Sequence, residues 1–120
     1  MRRLVVMVMA LALASATPLF GQEITVTGEL VDHACFIRTG DDGRGVDHAA
    51  CAVACAQIGQ PVGLVTEDGD VYVMAGAVTD DNNALLVPHM SHIVEVTGVV
   101  TEGNEVTTLT ADEVTHISEP

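Results

Sequence analysis

The sequence predicts a mainly β fold, a small barrel of five to six strands with one short cysteine-bearing helix inserted after the first strand. Three observations lead to it. Short runs with strand character recur along the chain, and tight turns at Glu67-Asp68-Gly69 and Glu102-Gly103-Asn104 join pairs of them. A single alanine-rich stretch, residues 47–59, breaks the series with helical character. Evenly spaced short strands with tight hairpins favour a barrel over a sandwich.

The first strand is read over 23–31, where Ile24, Val26, Gly28 and Leu30 alternate with threonine and glutamate. A turn-prone segment, Thr39 to Gly45, follows. The helix then opens at Asp47 as N-cap and stops at Gly59, just before Pro61, giving about three turns. Strands are expected at 61–66, 70–75, 93–101 and 105–110. Residues 80–87 read as a weak helical turn, and the tail, 111–117, extends the sheet or forms a last turn.

Residues 1–21 read as a secretory signal peptide. Arg2 and Arg3 precede an unbroken apolar run, Leu4 to Leu13, and small residues follow at Ala14, Ser15 and Ala16. The run is too short for a bilayer span, which needs about 20 residues. Cleavage fits after Ala16 or after Gly21. With no cysteine at that boundary, no lipid anchor is expected, and the product is periplasmic or secreted. The remainder, 22–120, suits a single domain.

Beyond the signal the only basic side chains are Arg38 and Arg44, set against 17 acidic residues, a net charge of −15 with no lysine. Such a surface repels phosphate backbones, so nucleic acid is excluded as a partner, and anionic membranes are disfavoured. Cations are attracted. Phe36 and Tyr72 are the only aromatics past the signal, so small and aliphatic side chains must fill the core, and a covalent or metallic staple would add stability.

One region carries chemistry. It runs D-H-A-C from Asp32 to Cys35, crosses a Gly/Asp loop, and continues as H-x-x-C-x-x-x-C with His48, Cys51 and Cys55. On a helix, offsets of three, four and seven bring His48, Cys51 and Cys55 to one face, and the loop is long enough to return Cys35 to them. Three thiolates and one imidazole form a closed set for zinc and a soft set for copper(I). In an oxidising compartment the same cysteines allow a disulfide from Cys35 to Cys51 or Cys55, with one thiol left over. Thiol redox chemistry is a further alternative, although no C-x-x-C motif precedes a βαβ pattern.

His33, next to the cluster, is expected on an extended stretch facing away from it. Asp32 suits a turn, or an acceptor behind His48. A second group, P-H-M-S-H over 88–92, offers His89, Met90 and His92 as imidazole and thioether donors, and otherwise reads as an exposed loop. Met74 is expected in the core, and His116 has no evident partner. There is no G-x-S-x-G elbow, and the acidic pairs sit in turns, so hydrolytic catalysis finds no support.

V-T-G-E-L-V-D-H-A-C (26–35), H-A-A-C-A-V-A-C-A-Q-I-G-Q-P-V-G-L-V (48–65) and V-E-V-T-G-V-V (94–100), about a third of the chain, resemble a group of small exported bacterial proteins. That resemblance implies an OB-like barrel with the H-x-x-C-x-x-x-C helix inserted, and no activity. The reading that follows is a non-enzymatic extracytoplasmic metal-binding protein, with Cys35, His48, Cys51 and Cys55 holding copper(I) or zinc. Its alternative is a disulfide-stapled interaction module without metal, whose barrel face binds a peptide, a glycan or a periplasmic protein partner.

Overall fold

The computed structural model describes residues 22–119, so the signal reading lies outside the described residues. Six strands appear: β1 (Glu23–Asp32), β2 (Val62–Val65), β3 (Val71–Ala75), β4 (Ile93–Glu102), β5 (Thr107–Thr110) and β6 (Thr115–Ser118). They pair in the order β1-β2-β3-β5-β4-β6, and β1 also pairs with β4. That extra pairing closes β1, β2, β3, β5 and β4 into a barrel and leaves β6 as an added strand on β4. Only β3 and β5 run parallel. The arrangement is mainly β and OB-like, as expected.

The long strand β1 makes the closure possible. Its first part, Glu23 to Glu29, pairs with β4, and its last part, Glu29 to Asp32, pairs with β2. Gly28 stands just before this handover, where a side chain would strike the Val65 carbonyl, so only glycine lets the strands come together. Inward-facing Val26, Leu30, Leu64, Met74, Val94, Val96 and Leu109 fill the barrel. Met74 is therefore core, as read.

The connection from β1 to β2 differs from the expected plan in two ways. Residues after β1 do not stay extended: helix α1 (His33–Thr39) begins at once, with Asp32 as its N-cap. The Asp32 carboxylate accepts from the Cys35 N–H at 3.0 Å, the local bond that Asp offers a helix start. The second difference is the start of the cysteine helix. A 3-10 turn, Val46–His48, comes first, and helix α2 (Ala49–Gln57) follows with His48, not Asp47, at its N-cap. The expected end holds, since Gly59 takes φ 83° and donates to the Ala56 carbonyl at 3.0 Å.

Ala52 and Ala56 of α2 belong to the barrel core. Side chains this small let the helix lie directly on the barrel mouth. Cys51 and Cys55, each one position earlier, are left on the neighbouring face.

The weak helical turn expected at 80–87 is a different structure. Asp81, Asn82 and Asn83 all have positive φ, from 53° to 61°. Left-handed backbone is costly for most side chains, but Asp and Asn tolerate it best. Asn83 returns a benefit: it is 4 % exposed, and its Nδ2 donates to the carbonyls of Ala56 at 2.9 Å and Gln60 at 3.1 Å, satisfying the end of α2. Replacing Asn83 with Ala strands the Gln60 carbonyl, leaves that of Ala56 with backbone N–H donors alone, and keeps the strained backbone in place. We expect Asn83→Ala to lower unfolding free energy by about 1–3 kcal/mol in urea titrations.

Candidate metal centre

Each donor arrives on a different part of the insertion. Cys35 lies in the first turn of α1, with its N–H held by Asp32 and its carbonyl accepting from Thr39 Oγ1 at 2.7 Å. The chain then crosses the barrel exterior, where it is tied to β1. Buried Glu29 takes the Arg44 guanidinium at 3.3 Å and accepts from the Gly45 N–H at 2.8 Å. Gly45 in turn starts the short turn that carries His48, whose N–H donates to the Gly45 carbonyl at 3.1 Å. Cys51 follows in the first turn of α2.

The result is a convergence. One ligand atom each from Cys35, His48 and Cys51 all lie within 4.8 Å of one another, with Cys35 and His48 half-buried and Cys51 exposed. His48 Nε2 is buried and has no hydrogen-bond partner among the described residues. A polar atom in that state costs about 1–3 kcal/mol unless something ligates it. Arg38 Nη2 stands 3.5 Å from Cys35 Sγ, placing positive charge beside a group that becomes anionic when its thiols ligate.

Cys55, the fourth predicted donor, is not within this group. Its thiol lies beside the Asp32 carboxylate and near Cys51. The hydrogen bond to Asp32, together with burial and the adjacent negative charge, pushes the Cys55 thiol up from an ordinary 9.0 to about 12. Burial alone would raise Asp32, but the N–H of Cys35, the thiol of Cys55, the N–H of Ala34 and the nearby His48 outweigh it. Its carboxyl is held below the usual value of 3.8. Asp32 is thus both the cap of α1 and the acceptor for Cys55. The second role was not foreseen, since sequence reasoning offered Asp32 to His48.

The other predicted residues sort clearly. His33 is the first residue of α1, its ring lies against Gly63, and it stays outside the cluster. Met90 is 2 % exposed within the core, which removes it as a thioether donor. His89 and His92 are half-buried in place of an exposed loop. All three cysteines are free. No family model, curated protein or solved structure matches the chain.

Two outcomes follow for the metal-free protein. Alkylation at neutral pH should modify exposed Cys51 well before Cys55, whose thiol is held protonated, and Asp32→Asn should speed the Cys55 reaction, as read by peptide mass mapping. Stability should form a plateau with pH. The Asp32 contribution is complete above pH 3.8 and is lost as pH falls through its lower native value; the Cys55 contribution is complete below pH 9.0 and is lost as pH rises towards about 12. Urea midpoints across that range check both edges.

Proposed function

We propose that this chain is a non-enzymatic, extracytoplasmic metal-binding protein that holds copper(I) or zinc at Cys35, His48 and Cys51, with Cys55 as fourth ligand. The observation that carries the reading is the meeting of two sulfurs and one imidazole from three separate turns of chain within 4.8 Å. The unpartnered His48 Nε2 supports it. A bound ion deprotonates a coordinating thiol outright, so Cys55 leaves Asp32 only when metal is present. Asp32 would then sit behind the ligand shell as an acceptor.

The exposure of Cys51 bears on what the metal is for. A structural zinc is usually closed off by its four ligands. Here one sulfur faces solvent, where a donor from a periplasmic partner protein can reach the ion, so cargo handling fits better than a pure staple. The acidic exterior favours cations and disfavours nucleic acid.

A second reading has an observation of its own. The ligating atoms of Cys35 and Cys51 are close enough that small movements would permit a disulfide, leaving Cys55 as a free thiol.

Native mass spectrometry with thiol counting, on protein purified after export and never given metal, separates the two. Stoichiometric copper or zinc, with three free thiols after chelation, supports the metal site. A chain lighter by two hydrogens, both before and after chelation, overturns it in favour of the bridge. His48→Ala should weaken metal binding by about tenfold or more, and would leave a disulfide untouched. Affinity should also fall with pH, because ligation releases thiol protons.

A further inference from the structure

His116, the residue without an evident partner, has two. Its ring stacks on His89 with centroids 5.6 Å apart and meets His92 edge-on at 5.1 Å. The three come from different places. His89 ends the 3-10 turn Val87–His89, His92 stands just before β4, and His116 lies on β6. Strand β6 brings it in by pairing His116 with Val94 beside a bulge at Ile93/Val94. The cluster shares no residue with the thiol centre.

The loop that presents His89 and His92 is firmly held. Met90 is buried in the core between them, and Ser91, almost fully buried with φ 64°, donates its N–H to the Leu30 carbonyl at 2.7 Å. Leu30 N–H in turn donates to the His92 carbonyl at 3.2 Å. So the backbone that carries the two rings is tied to β1, and of the three rings only that of His116 is exposed. His92 Nδ1 is buried with no hydrogen-bond partner, and among the described residues no carboxylate forms an ion pair with any of the three rings. Burial, together with His116 and His92, lowers the pKa of His89 and favours its neutral, ligand-competent ring.

We infer that His89, His92 and His116 form a second metal site, for a divalent transition ion of the zinc or copper(II) kind. Three imidazoles suit such ions, and the set lacks the sulfur that selects copper(I). Three histidines also leave a fourth position for water or an outside ligand. The rings now lie stacked and edge-on, with their nitrogens spread wider than in the thiol group, so an ion closes the site by rotating rings, most easily that of exposed His116. The site would clamp β6, the strand outside the closed barrel, onto the loop that leads into β4.

Zinc is the probe. In protein purified after export and carrying Cys35→Ser, Cys51→Ser and Cys55→Ser, calorimetric titration at neutral pH should show one equivalent of Zn2+ bound. His116→Ala in that background should weaken binding by about tenfold or more, with an unchanged circular dichroism spectrum. Native mass spectrometry of the thiol-intact protein gives the check if the serine variant does not fold: His116→Ala should remove one zinc per chain, whether the cysteines hold another zinc or a disulfide. Zinc stoichiometry and affinity that are unaltered by His116→Ala, or no zinc at all on the serine variant when it is folded, would overturn the site.

Discussion

Two carboxylates at the end of β1 govern how the rest of the insertion is arranged. Burying an ionised side chain is expensive unless charge and hydrogen bonds compensate, and Glu29 and Asp32 are both almost wholly buried. Each is satisfied by a part of the connection between β1 and β2. Glu29 takes Arg44 and the Gly45 N–H, which holds down the loop leading to His48. Asp32 takes the Cys35 N–H, which fixes the start of α1, and lies beside the Cys55 thiol of α2. The convergence of sulfur and imidazole is thus supported by the contacts that satisfy two buried acids.

Packing then finishes what electrostatics begins. The alanines of α2 seat it on the barrel mouth, and their small size sets the height at which the cysteine face lies. The far end of the helix is held by Asn83 from a left-handed turn that few other residues would tolerate. The site therefore draws on the strand that closes the barrel, a helix that plugs it and a strained turn that fixes the helix.

Much of this was legible in the sequence, and the losses have identifiable causes. Strand β1 follows from alternation, and β2 to β5 from apolar runs joined by turns at Glu67-Asp68-Gly69 and Glu102-Gly103-Asn104, because those signals are local. Helix α1 is not expected from the sequence at all, and α2 starts later than expected. Asp32 is a residue type suited to an N-cap, but the strand pattern running up to it masks the helix start. Asp47 looked like a cap, yet the chain uses a 3-10 turn there and leaves Asp47 exposed. Cys55 was grouped with His48 and Cys51 on helical spacing alone, and spacing says nothing of a carboxylate waiting on the adjoining strand. The pairing of His116 with His89 and His92 is a matter of sheet register across more than twenty residues, which no local pattern carries.

Of the side chains beyond the signal reading, both arginines are engaged: Arg44 with Glu29, and Arg38 beside the Cys35 sulfur. Nearly all the remaining charge is negative and faces water. That inequality acts on encounter more than on grip. Field lines from an anionic surface draw small cations inward and speed their arrival, an advantage that fades as ionic strength shortens the screening length. How long an ion stays is a separate property, decided by the donors that receive it. A metal held at the proposed centre would therefore owe its rate of capture to the whole exterior and its residence to a few atoms.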